Sequence, residues 1–288
     1  MAAMTKTTGL DASDADLIAL VQADAARQPI SKLGYFCKPF RAPAGPFEGH
    51  VIKVYRGLRD AAALERLKTC HDDYAQVLLA SGVPMPATQM RLIDPGKGAV
   101  PVIVQEALDS DCLMRPLMQR ASQADALGMM QAAGEVIARF WLAVEGDARR
   151  VGFHPSIRNF AIIEGQAVFF DTFPPLIHYS RAEMGQMLLT FSDTRLMRLA
   201  GPLMKTRVTA IQDEWYSPPE TLVGLVGSAC RLRPDDAPAF LDWGRGFAGS
   251  HMAPWEGEIR AGLTDPPQLS RLWTGMRKIL GLQGEPNV

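Results

Sequence analysis

The chain has 288 residues, of which 47% are hydrophobic and 21% are charged. This composition is typical of a globular protein and excludes a disordered, collagen-like or coiled-coil chain. Thirty lysine and arginine residues against 31 aspartate and glutamate residues give a formal charge of -1, so no global positive field favours nonspecific nucleic-acid binding.

The first part of the chain alternates between helical and strand patterns. Its predicted helices have apolar residues at helical spacing, and its predicted strands are short runs of β-branched and aromatic residues. In chain order they are a helix over 13–27, a strand-forming stretch over 30–40, a strand over 50–55, a helix over 59–81, and strands over 89–93 and 100–107.

The second part is mainly helical. Apolar spacing predicts a helix over 124–144, and residues 160–170 predict a strand, a tight turn and a second strand. Beyond residue 180 nearly all of the pattern is helical, with interruptions at prolines. A β-rich part followed by a helical part predicts an α+β fold with two lobes, joined by a hinge-like segment near 106–114.

The four cysteines, Cys37, Cys70, Cys112 and Cys230, are far apart and form no C-x-x-C pair. We therefore expect neither a structural zinc site nor a disulfide framework, and a reducing compartment fits. The first residues do not resemble a signal peptide, and no apolar run reaches the roughly 18 residues of a membrane span. The sequence predicts a cytoplasmic protein without a membrane partner.

Three polar residues stand out against this background. Lys53 lies in the middle of an apolar strand, while Asn159 and Asp171 flank the predicted hairpin and are 12 residues apart. The hairpin would bring both oxygens to one edge of the sheet, where Mg²⁺ finds the ligands it prefers. The plain alternatives are a lysine that points at solvent, an asparagine that forms a turn and an aspartate that caps a helix.

In this order the motifs resemble the protein-kinase-like superfamily, and within it the aminoglycoside-phosphotransferase-like small-molecule kinases. His50-Val-Ile-Lys-Val-Tyr55 resembles the third-strand V-A-I-K motif, and Leu33-Gly-Tyr-Phe-Cys-Lys38 resembles the start of the glycine-rich loop. Val102 to Leu108 is similar to the fifth strand and hinge, Gly152 to Asn159 to the catalytic loop, and Phe170-Asp-Thr-Phe173 to the D-F-G region. The resemblance covers about residues 30–176.

The resemblance implies ATP and Mg²⁺ as cofactors, bound between two lobes. These would be a small lobe over 28–106 with a five-stranded antiparallel sheet, preceded by a helical extension over 1–27, and a helical lobe over 107–288. The implied roles are phosphate binding by Lys53, Gly34 and Lys38, adenine binding by the backbone of Glu106 and Leu108, and metal binding by Asn159 and Asp171.

The sequence departs from the family pattern at three places. Five residues before Asn159, where the family has a catalytic aspartate, this chain has His154. A histidine can accept a proton near neutral pH, so His154 is a candidate base, and the alternative is a histidine that only packs in the loop. Only Gly34 of the loop glycines is present, and Asp72 and Glu65 are the candidate helix partners of Lys53.

The sequence therefore predicts a phosphotransferase that moves the γ-phosphate of ATP to a small-molecule or peptide acceptor. Asp171 and His154 would be its catalytic residues. The alternatives are a pseudokinase-like module that binds nucleotide or a protein partner without phosphotransfer, and nucleotidyl transfer on the same fold. The sequence lacks the G-x-S-x-G elbow typical of a serine hydrolase. It also has no G-x-G-x-x-G after a strand, as a dinucleotide-binding fold would have.

Overall fold

A computed structural model describes residues 9–23, 36–37, 39–42, 44–191 and 212–267. The fold belongs to the α+β class, as the sequence predicts. Its strands are β1 (Phe40–Arg41), β2 (His50–Val54), β3 (Thr88–Ile93), β4 (Val100–Glu106), β5 (Phe160–Ile163) and β6 (Gln166–Phe169). Its α-helices are α1 (Asp14–Gln22), α2 (Ala61–Ala80), α3 (Met114–Arg120), α4 (Gln123–Ala143), α5 (Arg181–Thr190), α6 (Pro218–Leu232), α7 (Ala237–His251) and α8 (Glu256–Gly262).

Two antiparallel sheets organise the strands. The first has the order β1-β2-β4-β3, with Lys53 opposite Ile103 and Thr88 opposite Gln105. The second is the predicted hairpin of β5 and β6, in which Phe160 lies opposite Phe169. Four strands of the larger sheet fall within the described ranges, and most of the stretch 30–40 from which a fifth strand was expected lies outside them.

The larger sheet buries both of its faces. Because side chains alternate along a strand, Ile52 and Val104 lie on one face and Ile103 on the other. The first face shares an apolar cluster with Leu17 and Val21 of α1. The second face joins the main core through Ile103, together with residues of α2. Lys53 pairs with Ile103, so its side chain starts from the α2 face.

The main core continues from α2 into the helical part of the chain. α4 contributes several fully buried side chains, among them Met130, Ile137 and Phe140, and the hairpin residues Phe160 and Phe169 belong to the same cluster. This packing places the hairpin against α4 and next to α2. Within the described ranges, no helix has both the length and the apolar character needed to cross a bilayer.

Two neighbouring leucines at the end of α2 test this packing. Leu78 is fully buried, whereas Leu79 is 57% exposed. We expect Leu78→Ala to lower the free energy of unfolding by about 2–5 kcal/mol, because it leaves a cavity in the main core. Leu79→Ala should change it by about 0.5 kcal/mol or less. Urea denaturation of both variants measures the difference, and equal losses would contradict the assigned orientation of α2.

Candidate functional site

Lys53 lies inside the molecule and contacts the chain next to Asp171. Its side chain is 8% exposed, and its Nζ donates a hydrogen bond to the Phe170 carbonyl at 3.0 Å. Gln105 Nε2 donates to the same oxygen, also at 3.0 Å. Both donors start from the same face of the larger sheet, so one carbonyl of the later hairpin holds two side chains of the earlier sheet.

Asn159 lies beside this carbonyl, at the start of the hairpin. A short 3-10 turn over Ile157–Asn159 leads into β5, and the Asn159 carbonyl accepts a 3.0 Å hydrogen bond from the Phe170 amide. Asn159 Nδ2 donates to the His154 carbonyl at 3.0 Å. That bond fixes the amide group and leaves its Oδ1 without a partner among the described residues.

Asp171 follows Phe170 directly and is half-buried. Its carboxylate has no hydrogen-bond or ion-pair partner within the ranges that the structure describes. Burial raises the pKa of the Tyr55 and Tyr74 hydroxyls, and the negative charge of Asp171 contributes to both shifts. Both tyrosines therefore lie within electrostatic range of the carboxylate.

The Phe170 backbone thus links the three residues: Lys53 donates to its carbonyl, its amide donates to the Asn159 carbonyl, and Asp171 follows it in the chain. The set contains one carboxylate and one amide oxygen. In the described part of the chain, no group of three or more His, Cys, Asp or Glu side chains could hold a metal ion. A cation at this site would keep several waters, as Mg²⁺ usually does in proteins.

Neither expected helix partner of Lys53 pairs with it in the structure. The Asp72 carboxylate accepts a 2.7 Å hydrogen bond from Lys68, one turn earlier on α2, and Glu65 is exposed. Neither carboxylate forms an ion pair with Lys53. The prediction of Asp72 fails because successive residues on a helix point about 100° apart, and here His71 points inward.

His71 is a buried polar residue next to the candidate site that the sequence pattern did not single out. It is 1% exposed, and its Nε2 shares a 2.9 Å hydrogen bond with Thr172 Oγ1, immediately after Asp171. Its Nδ1 is buried and lies 3.9 Å from Asp72 Oδ1. Burial lowers the pKa of His71, Asp72 opposes this shift, and the charge of Lys53 adds to it. The sequence analysis named its neighbour Asp72, because a carboxylate was expected there.

His154 is half-buried, and its ring packs on Trp215 with centroids 4.4 Å apart. Burial lowers the pKa of His154 to about 4; the charge of Asp171 opposes this shift, and that of Arg158 adds to it. The imidazole is thus neutral at pH 7. It can accept a proton, but only as a weak base, so the expected catalytic role of His154 has limited chemical support.

The hinge backbone is partly committed to the protein itself. The Glu106 amide donates to Ala87, the Ala107 amide donates to Gly49, and the Leu108 carbonyl accepts a hydrogen bond from Arg41. In the described ranges, the Glu106 carbonyl and the Leu108 amide form no hydrogen bond outside the sheet ladder. One acceptor and one donor, two residues apart, therefore stay available to the edge of a flat base.

Gly34 and Lys38, the expected contacts of the glycine-rich loop, lie outside the described residues. The remaining predicted positions fall inside them, and of these Lys53 and Asn159 form hydrogen bonds with the Phe170 backbone.

Comparison with known families assigns the chain to a family but indicates no activity. The model of DUF6206, a family of unknown function, matches residues 16–284. The chain belongs to this family. No curated protein is significantly similar to the chain. Every residue of the candidate site lies within the stretch that defines DUF6206, so the function has to be argued from the geometry of the site.

His71 and His154 predict a loss of stability in acid. Both have a lowered pKa in the folded protein, so below about pH 6.5 the unfolded chain binds more protons than the folded one. The stabilisation is present above that pH and is lost as pH falls. For His154 the loss should reach roughly 1–2 kcal/mol by pH 5.

Urea denaturation at pH 7.5 and pH 5 measures this effect. His154→Gln should reduce the difference between the two pH values, because glutamine does not titrate. The exposed His251 provides a matched control, and His251→Gln should leave the difference as in the wild type. An unchanged pH dependence in His154→Gln would contradict the assigned burial.

Proposed function

We propose that the chain is a kinase-like phosphotransferase, which moves the γ-phosphate of ATP, bound with Mg²⁺, to a small-molecule or peptide acceptor. In this proposal the larger sheet with α1 and α2 is a small lobe, and the helical part after Glu106 is a large lobe. The observation that carries the proposal is the hydrogen bond from Lys53 to the Phe170 carbonyl, which joins a buried cation to the segment of Asn159 and Asp171.

The charge of Lys53 supports an anionic ligand. A buried ammonium group is costly unless it is paired and hydrogen-bonded. Lys53 can donate three hydrogen bonds, and in the described ranges it donates one, to a neutral carbonyl. No carboxylate oxygen of those ranges lies within ion-pair distance of it. Phosphate oxygens would supply both the negative charge and the missing acceptors.

The oxygen donors support a metal ion bound with that ligand. The Asp171 carboxylate has no protein partner in the described ranges, and Asn159 Oδ1 is held in place by the bond of its Nδ2 to His154. Carboxylate and amide oxygens are the donors that a hard divalent cation takes. Mg²⁺, when bound, would neutralise part of the phosphate charge. Asp171 and Asn159 would hold it.

The adenine end of the nucleotide fits the hinge. Its edge offers a donor amino group and an acceptor ring nitrogen, which complement the free Glu106 carbonyl and Leu108 amide. These backbone groups belong to the end of β4 and the residues after it, and their placement depends little on which side chains surround them.

The residues beyond the phosphates suggest a slow reaction. Phosphoryl transfer depends mainly on positioning and on charge neutralisation, because its transition state is loose. General-base catalysis contributes typically about 10²–10⁴-fold. A histidine with a pKa of about 4 gives only part of this gain, so turnover should be slow with any acceptor.

The weak basicity of His154 favours a second candidate, a nucleotide-binding or partner module without phosphotransfer. The position of the usual aspartate holds a weak base that packs on Trp215, and no helix carboxylate pairs with Lys53 in the described ranges. Phosphorylated product, detected by mass spectrometry with a panel of hydroxylated and amino acceptors, distinguishes the first candidate. Bound ATP without any product, together with a co-purifying protein, favours the second, and an added AMP would indicate nucleotidyl transfer.

Calorimetry tests the binding step that both candidates share. We expect the wild type to bind ATP in the presence of Mg²⁺. Asp171→Asn should remove most of the Mg²⁺ dependence, because it loses the only ligand with a full charge in the proposed set. Lys53→Met should weaken binding by about tenfold or more, which is about 1.4 kcal/mol.

Exposed residues of the same types provide controls. Asp235→Asn and Lys97→Met change a carboxylate and an amine on the surface, and both variants should bind ATP as the wild type does. Wild-type affinity in Asp171→Asn and Lys53→Met would refute the proposed site, and so would a wild type that binds no ATP.

A further inference from the structure

A second pocket, of about 320 Å³, lies in the helical part of the molecule. Its walls come from four stretches of the chain: the end of α4, the segment that follows it, the turn before α6 and the turn before α8. Trp141, Tyr216 and Trp255 supply aromatic walls, and Arg150 supplies a positive charge. Its volume lies at the lower end of the range of small-molecule sites, which are also mostly apolar with a few polar groups.

The aromatic walls are held by their own contacts. Trp141 is 5% exposed, and its Nε1 donates a 2.7 Å hydrogen bond to Thr221 Oγ1. The Arg150 guanidinium lies over one face of the Tyr216 ring, and its carbon is 3.3 Å from the ring centroid. Because these groups are fixed before any ligand arrives, the pocket is preorganised, and binding costs less ordering entropy.

Some charged residues of the pocket form an ion pair within the described ranges, and others do not. Asp147 is fully engaged by Arg149, whose Nη2 lies 2.6 Å from Oδ2 and whose Nε lies 3.0 Å from Oδ1. Arg150 is half-buried and forms no ion pair within 4 Å in the described ranges, although the pKa of Asp213 is lowered by Arg181 and, more weakly, by Arg150. It reaches the Tyr179 carbonyl only over a long 3.4 Å contact. Glu145 is exposed at the rim and also has no ion-pair partner there.

We propose that this pocket binds a small aromatic or similarly apolar carboxylate. The carboxylate pairs with the free N–H groups of Arg150, and the apolar body packs between the indole rings of Trp141 and Trp255. Arginine suits this role because its planar group can stack on an aromatic ring and still donate hydrogen bonds from its edge. The exposed Glu145 weakens the binding of an anion and does not contact the apolar body.

The pocket is separate from the proposed nucleotide site. Trp215 packs on His154, whereas the next residue, Tyr216, faces the pocket, so the two sites lie on opposite sides of this turn. Neither Lys53 nor Asp171 takes part. The outcome for this pocket is therefore independent of the outcome for ATP.

Calorimetry with 3-phenylpropanoate and its neutral isostere 3-phenylpropanamide tests the inference. We expect one saturable site for the carboxylate and binding of the amide that is weaker by about tenfold, since the amide lacks the charge that Arg150 recognises. Trp255→Ala should weaken the binding of both probes, because it removes one apolar wall. Equal affinity for the two probes, or no binding of either one, would overturn the proposal.

Variants at the charged residues sharpen the test. Arg150→Gln should lower the affinity for the carboxylate probe by about tenfold and leave the affinity for the amide probe unchanged. Arg150→Lys should keep part of the preference for the carboxylate. Glu145→Gln should tighten carboxylate binding, and Arg120→Gln, at an exposed arginine outside the pocket, should change nothing. Thermal unfolding checks that each variant is folded. A folded Arg150→Gln that keeps the wild-type preference would contradict the assignment, and so would weaker carboxylate binding in Glu145→Gln.

Discussion

The hydrogen bond from the Lys53 ammonium group to the Phe170 carbonyl joins the two halves of the candidate site. It spans 117 residues of sequence and connects the larger sheet to the later hairpin. Gln105 donates to the same oxygen, so the carbonyl is held from two neighbouring strands. This contact places a buried cation at the residue that precedes Asp171, and the proposed nucleotide site depends on that placement.

In the proposed site, His71 leaves the charge of Lys53 for a ligand, because no helix carboxylate of the described ranges pairs with that ammonium group. A carboxylate at this position of α2 would neutralise the ammonium group, whereas a neutral imidazole does not. Burial keeps His71 neutral, and its bond to Thr172 still ties α2 to the segment of Asp171. The site thus keeps a positive and a negative group that do not neutralise each other directly, an arrangement that suits a metal-bound polyphosphate better than either group alone would.

The sequence predicted the parts of the structure that depend on local pattern. Apolar spacing identified α2 and α4, and the turn residues identified the hairpin of β5 and β6. The resemblance implied that Lys53, Asn159 and Asp171 belong to one site, and the hydrogen bonds of the Phe170 backbone link their segments. The DUF6206 match extends over all of these elements.

The remaining features depend on contacts that no local pattern encodes. Which of His71, Asp72 and Asp73 points inward is fixed by how α2 is rotated against the core. The stacking of His154 on Trp215, which leaves it a weak base, joins segments far apart in sequence. The bond of Arg41 to the Leu108 carbonyl depends on how the edge strand meets the hinge.

A crystal structure grown with Mg²⁺ and a nonhydrolysable ATP analogue tests the central claim most directly. The account predicts phosphate oxygens within hydrogen-bond distance of Lys53 Nζ, a metal ion coordinated by Asp171 and Asn159, and the base against the Glu106 carbonyl and the Leu108 amide. A nucleotide bound elsewhere, or a site that stays without nucleotide while Lys53 keeps only its bond to Phe170, would contradict it.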